Sequence, residues 1–280
     1  MAPGARSVRR VRPGRDGRQG AASGQTKAAA PFLQEFALAV LAGGFIGFGA
    51  IFYLGVVRDG VLPPGLQALL GGLAFSLGLI LVLVGGAELF TGNVLLVVGL
   101  AARTVSLGAL GRNWTIVYLG NLVGAIGLVL LVYWSGIWQT GDGAIGKAAL
   151  KIAAAKTSLP FEEVFVSGIL CNILVCLAVW LGLSARTSTD RILGLIFPIT
   201  AFVALGFEHS TANMFFLPFG FVLNPAPRAC GGPHQSGPHQ LELGHRGQPV
   251  ACNPREHCWR VRRGGFVGLA YWFAYLRDRR

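Results

Sequence analysis

The sequence predicts an all-α, polytopic membrane protein built from two repeated halves. Of its 280 residues, 53% are hydrophobic and only 13% are charged, whereas soluble domains contain about 25% charged residues. A polar string, Glu-x-x-Thr-x-Asn, occurs twice inside apolar sequence, at 88–93 and at 208–213. Matched polar interruptions in corresponding spans of two halves indicate an inverted repeat with broken helices near the middle of the membrane.

Five apolar stretches account for the predicted spans. They run over 31–57, 66–99, 115–134, 161–183 and 192–221. The second and the fifth exceed the roughly 20 residues that a straight span needs, and each contains one copy of the polar string. We therefore predict that each of these two spans is a half-helix, a break at 85–93 or 206–213, and a second half-helix.

The basic residues predict the topology. The first 27 residues hold seven of the basic side chains behind the net charge of +12 and lack apolar periodicity. We predict that residues 1–27 form a disordered cytoplasmic arm that anchors topology, in preference to a nucleic-acid-binding arm. With this end inside, the arginine-bearing loops 103–112 and 184–191 also fall inside, in agreement with the positive-inside rule.

A lysine-rich segment falls on the opposite side of the membrane. Residues 141–160 lie outside the spans and contain Lys147, Lys151 and Lys156. Basic charge there departs from the positive-inside rule. It indicates either attraction of anions or the solvated face of an amphipathic helix.

Polar side chains at the two breaks form the candidate functional site, because polar groups inside a membrane are costly and usually functional. His209 is the only histidine before residue 230 and lies at the second break. An imidazole, with its reference pKa near 6.5, can offer a proton or a hydrogen bond to an anion; a hydrogen-bonded packing histidine is the alternative. Glu208 is expected to hold backbone amides, because a second negative charge would repel an anion. The other predicted break residues are Glu88, Gly92, Asn93 and Asn213.

Three segments resemble signatures of the formate/nitrite transporter family, over about residues 28–223. They are VGGAELFTGN at 84–93, GILCNILVCLAVW at 168–180 and FEHSTANM at 207–214. The resemblance implies an aquaporin-like six-span fold with broken second and fifth helices, in a multi-pass protein of the inner (cytoplasmic) membrane. It also implies a homopentamer with one pore per subunit that passes small monovalent anions such as formate and nitrite, with no cofactor and no enzymatic activity.

The resemblance also assigns pore residues. His209 matches the pore histidine, Thr91 and Asn172 match polar pore positions, and Lys156 matches a lysine near the outer vestibule. An apolar constriction gates by dewetting and excludes hydrated ions. The residues that match or neighbour such positions are Phe75, Leu79, Leu89, Phe90, Val175 and Phe202.

Passive passage of the anion and proton-linked passage both remain open. Half-helix N-termini at the breaks would attract a small anion, and a proton from or through His209 would neutralise a weak acid for crossing the apolar slit. A neutral-solute channel is an alternative, although neither break contains Asn-Pro-Ala. A membrane enzyme using Glu88 and Glu208 as acid and base is another, but no cofactor or metal motif accompanies them.

The pattern of spans fails after about residue 224. Residues 224–263 contain six prolines, four histidines and six arginines, so no span can form there. The apolar sequence at 264–280 is too short to cross a membrane and is interpreted as the remnant of a sixth span. The mixed cysteines and histidines of 224–263 suggest a zinc site, but their spacing matches no standard zinc pattern.

A shifted reading frame explains the tail better. Reading the codons of 248–260 one base later allows Asn-Leu-Leu-Pro-Val-Thr-Leu-Gly-Asn-Ile-Val-Gly-Gly, which resembles the sixth-span entrance of the family. It also echoes LGNLVGA at 119–125, in the third span, which corresponds to the sixth in an inverted repeat. Residues 224–263 are thus interpreted as frameshifted, through a sequence error or a real lesion that would leave a non-functional family member. The remaining cysteines, Cys171 and Cys176, are predicted to be packing residues.

Overall fold

A computed structural model describes residue 22 and residues 24–224 of the chain, and within them every regular element is a helix. A short helical segment at 24–28 precedes the first span. The helices are α1 Phe32–Val57, α2 Pro64–Gly85, α3 Phe90–Asn93, α4 Leu96–Ala101, α5 Leu107–Trp134, α6 Thr140–Ser158, α7 Phe161–Ser184, α8 Ser188–Ala204 and α9 Ser210–Leu223, with a 3-10 turn at Ile137–Gln139. The predicted all-α class is confirmed.

Among the described residues, four helices, α1, α2, α5 and α7, are long and apolar enough to cross a membrane. The predicted second span consists of α2, a break, and the shorter α3 and α4, and the predicted fifth span consists of α8, a break, and α9. The third span begins at Leu107, eight residues before the predicted start at 115, because Ser106 caps the helix by accepting a hydrogen bond from the Ala109 N–H.

The two breaks follow the same backbone path. Gly86 and Gly206 adopt the left-handed conformation, with φ of +72° and +71°, which glycine alone adopts without strain. One residue later, the N–H of Ala87 donates to the carbonyl of Val82 and that of Phe207 to the carbonyl of Phe202, both at 2.9 Å. Corresponding residues are therefore 120 positions apart (206 − 86 = 120), which relates α2 to α8 and α3 to α9.

The predicted break at 85–93 is too long at its C-terminal end. Gly92 and Asn93 belong to the short helix α3, and the non-helical backbone lies at 86–89. A Cβ on Gly92 would lie 3.5 Å from Val179 of α7, an ordinary contact. Gly86 makes the turn at the break, and Gly92, which was predicted as a break residue, is helical.

Helices α1 and α5 approach each other through glycine. A Cβ on Gly124 of α5 would overlap the backbone carbonyl of Val40 on α1, and a Cβ on Gly43 of α1 would overlap the carbonyl of Asn121 on α5. Small residues let helix backbones come this close in a membrane, where packing rather than the hydrophobic effect holds helices together. This contact fixes Asn121 close to the first break.

Helix α7 is much less buried than α1, its counterpart in the repeat. In its most apolar 18 residues 17% are buried, against 39% in α1. The mate of α1 is α5, and the described chain supplies α7 with no equivalent of α5, so α7 packs mainly on α8. The predictions of an altered frame at 224–263 and of a sixth-span remnant at 264–280 concern residues outside those described.

We expect Gly124→Ala to lower the free energy of unfolding by about 1 to 3 kcal/mol, because the added methyl group overpacks the α1–α5 contact. Thermal or denaturant unfolding in detergent micelles measures the change. Gly127→Ala is the matched control, since it lies on the same helix and its Cβ would meet no atom within 4 Å. Equal stability of the two variants would contradict the close approach of the helices.

We expect resequencing of the coding DNA across codons 220–266 to show a one-base insertion or deletion on each side of the altered stretch, relative to the source genome. Correcting both would restore a continuous sixth span, as the membrane-incompatible composition of 224–263 requires. A genome that encodes the printed residues would contradict this, and the gene would then carry a real lesion.

Candidate pore between the two helix breaks

His209 is the N-cap of α9, and this position fixes its tautomer. The residue has extended backbone, with φ −106° and ψ 116°, and its Nδ1 accepts a hydrogen bond of 3.0 Å from the N–H of Ala212. An N-cap side chain satisfies one of the free N–H groups in the first helical turn. Because Nδ1 accepts, the hydrogen bonds assign the ring proton of the neutral imidazole to Nε2.

The Nε2 atom of His209 faces the other break. It lies 3.3 Å from Thr91 Oγ1 of α3, so the N–H of the assigned tautomer donates to the threonine oxygen and leaves the threonine O–H available to a further acceptor. The ring of Phe202 stacks on the imidazole at 5.5 Å, and Phe75 meets it edge-on at 6.4 Å. The structure thus brings together four of the predicted site residues, His209, Thr91, Phe202 and Phe75.

A cavity of about 790 Å³ opens beside this cluster, on the side where Lys156 lies. Its lining residues include His209, Thr91, Asn172, Lys156 and Phe90. The Asn172 amide lies 3.6 Å from Cys176 Sγ, which is a weak contact. Since an amide group has two N–H donors, Asn172 keeps a donor for a small solute in the cavity.

The carboxylate of Glu208 is held by side chains. Both of its oxygens accept hydrogen bonds of 2.9 Å from Lys156 Nζ, and one accepts from Asn213 Nδ2 at 2.8 Å. The expectation that Glu208 holds backbone amides is therefore wrong. The Lys156 ammonium balances this carboxylate charge, so Lys156 does not stand as an isolated cation at the cavity.

Glu88 repeats this arrangement at the first break. It accepts from Lys27 Nζ at 3.0 Å and from Asn93 Nδ2 at 2.7 Å. Lys27 also donates to Asn93 Oδ1 at 2.9 Å. The prediction of a disordered arm is therefore wrong at residues 22 and 24–27, which are helical. Lys27, which sequence reasoning missed, plays the same part at the first break as Lys156 at the second.

Asn121 supports the first break from α5. Its Oδ1 accepts from the N–H of Phe90, and its Nδ2 donates to the carbonyls of Ala39 and Glu88, at 2.8 to 2.9 Å. One buried amide therefore ties α1, the break and α3 together. Sequence reasoning missed Asn121, although a polar residue within an apolar span was a usable signal.

A second missed set extends the Glu88 network toward α1. Asn93 donates to Asn113, Asn113 donates to Glu35 at 2.6 Å, and Arg112 pairs with the other Glu35 oxygen at 3.0 Å. Glu35 is 1% exposed, so both of its partners are needed to offset the cost of burying its charge.

The residues predicted for an apolar constriction are largely buried. Phe75, Leu79, Leu89, Val175 and Phe202 each lie in the core, whereas Phe90 is half-buried. Phe90 packs edge-on against the rings of Trp114 and Tyr118. The repeat identifies three further buried residues that sequence reasoning missed. Leu195, Ile199 and Val82 lie 120 positions along the chain from Phe75, Leu79 and Phe202, respectively.

The described residues contain no group of three or more histidine, cysteine, aspartate and glutamate side chains placed to hold a metal ion. There, Cys171 is buried, Cys176 is half-buried, and both are free thiols. The zinc hypothesis concerns cysteines and histidines beyond residue 224, outside the described chain.

The family profile described as formate/nitrite transporter matches residues 18–243. The chain is 40% identical to the formate channel FocA of Escherichia coli K12 over 266 residues, which cover 91% of each protein. It is 32% identical to the nitrite transporter NirC of Salmonella typhimurium, over 86% of this chain and 82% of NirC.

Two solved structures share the fold. A pentameric formate channel with formate bound superposes with a TM-score of 0.63 at 36% identity, covering 88% of this chain and 98% of that one. An FNT family ion channel superposes with a TM-score of 0.68 at 29% identity, covering 93% and 99%. The family profile, these relatives and the paired helix breaks agree, and the chain belongs to the formate/nitrite transporter family.

Proposed function

We propose that this chain conducts small monovalent anions, formate and nitrite among them, across the membrane. The observation that carries the proposal is the His209–Thr91 contact at 3.3 Å, which joins the two breaks. The His209 N–H donates to Thr91 Oγ1, and the contact presents the Thr91 O–H as a donor among buried aromatic rings. A formate or nitrite ion that leaves water needs such donors, because an unpaired charge in an apolar slit costs several kcal/mol. The named relatives, a formate channel and a nitrite transporter, support the same substrates.

The neutral Nε2–H form of His209 favours a donor role. In the neutral form, Nδ1 caps α9 by accepting a hydrogen bond from the N–H of Ala212. A proton on Nδ1 would point at this N–H and remove the acceptor. A proton-linked cycle through His209 would therefore have to break this cap hydrogen bond. Passive conduction leaves the cap intact, so we favour it over proton-linked conduction.

Lys156 and Lys27 act, in this proposal, as the counterions of Glu208 and Glu88. Pairing keeps the breaks close to neutral, so neither carboxylate repels an approaching anion. The anion then meets hydrogen-bond donors, with His209, Thr91 and Asn172 as the polar pore and the buried residues around Phe75 and Phe202 as the constriction.

The proposal extends to assembly and location. A pentameric relative supports a homopentamer, and the four long apolar helices of the described residues support its embedding in a lipid bilayer. The arginines of the arm and of loops 103–112 and 184–191 support a cytoplasmic N-terminus in the inner membrane.

Proteoliposomes containing the purified chain test the function directly. We expect formate and nitrite to enter down their gradients, while glycerol enters no faster than in empty liposomes. Flux of glycerol without flux of formate would favour the neutral-solute channel instead. If neither moves, correcting the frame of codons 224–263 distinguishes a damaged family member, which then gains flux, from a wrong assignment.

We expect His209→Gln to lower formate flux at least about tenfold, because it removes both the aromatic stacking and the positioned N–H, and hydrogen bonds to charged groups contribute about 1.5 to 3 kcal/mol. Flux is measured in proteoliposomes between pH 5 and 8. Passive conduction predicts that the pH profile of the remaining flux matches that of the wild type. A profile that loses a steep rise toward low pH would instead assign His209 a proton role, because His209 would then be the group loaded with protons below its pKa.

Retention of both wild-type flux and wild-type pH profile by His209→Gln would contradict any part for this side chain in conduction. His209→Ala is unsuitable alone, since it also removes the α9 cap. Ser106→Ala, which removes the N-cap of α5, controls for loss of a cap at a position remote from the two breaks.

A further inference from the structure

We propose that the Thr211 hydroxyl is a second anion-binding position of the pore, opposite Leu89, where the described residues supply no hydrogen-bond partner. This inference rests on the proposed function, since it concerns the same anions. It assigns a role to a residue that the pattern of helix breaks alone leaves unexplained.

The argument begins from the repeat. Backbone bonds 120 residues apart match on both sides of the breaks: the N–H of Asn93 donates to Leu89 and that of Asn213 donates to His209, at 2.9 and 3.0 Å. Thr211 is therefore the counterpart of Thr91, and Leu89 is the counterpart of His209. The side chains agree as well, because Asn93 and Asn213 each donate to the glutamate five residues before them.

Thr211 has a buried hydroxyl with no hydrogen-bond partner among the described residues. The residue is 0% exposed, and Oγ1 contacts no donor or acceptor. Threonine and serine in helices usually donate to the carbonyl four residues earlier, as Ser76 does to Gly72 in this chain. Thr211 lies in the first turn of α9, so the residue four positions earlier is Phe207, in the non-helical break.

The inverted repeat explains why this hydroxyl lacks a hydrogen-bond partner. Thr91 reaches across to the cap residue of the other half and meets the imidazole of His209. By the same relation we place Thr211 opposite Leu89, the residue that precedes α3, which is 2% exposed and has an apolar side chain. A buried donor without a partner costs free energy, and that cost persists unless something in the pore meets it.

A small oxyanion supplies the acceptor that this hydroxyl lacks. A hydroxyl donates one hydrogen bond to a carboxylate or nitrite oxygen and accepts another from water. Thr211 would then hold the anion on the Leu89 side of the constriction, as Thr91 and His209 hold it on theirs. Two weak sites in series suit conduction, because an ion must bind well enough to enter and loosely enough to leave.

Thr211→Val tests the assignment, since valine keeps the shape and removes the hydroxyl. We expect formate flux to fall about tenfold and the half-saturating formate concentration to rise. Thr211→Ser, which restores a hydroxyl, should stay within about twofold of the wild type. The matched control is Thr200→Val. The Thr200 hydroxyl is also buried and without a hydrogen-bond partner among the described residues, but Thr200 packs on Gly72 of α2. Formate flux through Thr200→Val should therefore equal that of the wild type.

A binding measurement makes the test independent of flux. Formate should raise the unfolding temperature of the detergent-solubilised full chain, because a ligand that binds the folded state stabilises it. The increase should be smaller for Thr211→Val and retained for Thr200→Val and Thr211→Ser. Since removal of an unpartnered hydroxyl should not destabilise the fold, the unfolding temperature without formate checks that each variant is folded.

Wild-type flux and wild-type formate stabilisation in Thr211→Val would overturn the inference and leave Thr211 as a tolerated core hydroxyl, while the proposed function stands. If Thr211→Val fails to fold, the Thr211→Ser and Thr211→Ala variants take its place. Loss of flux in Thr211→Ser would then overturn the inference. Wild-type flux in Thr211→Ser together with loss of flux in Thr211→Ala would support it. A chain that neither conducts nor binds formate, both as given and after correction of the frame of codons 224–263, would overturn the proposed function and this inference together.

Discussion

The cost of placing polar groups in hydrocarbon governs this structure. Breaking a helix inside a membrane frees backbone groups that no lipid can bind, and this chain meets that cost twice with the same solution. At each break a glutamate accepts from a lysine and from an asparagine five residues further on. The charges balance locally, so the half-helices can end near one another without leaving an unpaired ion.

The repeat gives the breaks a common backbone, and one substitution between the halves makes the pore asymmetric. The residue before the second half-helix is His209, and its counterpart in the first half is Leu89. A backbone that holds one cap residue in an extended conformation holds the other in nearly the same one, with φ of −106° in both. The backbone is therefore nearly the same at the two cap positions, and the polarity of the pore there depends on whether the side chain is histidine or leucine.

Support for the two breaks is unequal within the described chain. Asn121 binds the first break from α5, at a distance that the glycines of α1 and α5 make accessible. The described chain supplies no such amide to Ser210 at the second break, and α7 keeps an exposed apolar surface. Asn213 Oδ1 is likewise without a partner there, whereas Asn93 Oδ1 accepts from Lys27. These differences fall on the side where the repeat requires a helix equivalent to α5.

The sequence by itself determined the class, the approximate positions of the described spans and of the two breaks, and the family, because hydropathy, periodicity and short motifs are local properties that the sequence displays directly. It did not reveal Lys27 as a partner of Glu88, 61 residues away, or the role of Asn121. Only the tertiary structure decided those pairings, the partners of Glu208 and the tautomer of His209. The physical reason is that hydrogen bonds join side chains by position in space, and the helix packing that sets those positions depends on contacts between residues far apart in the chain.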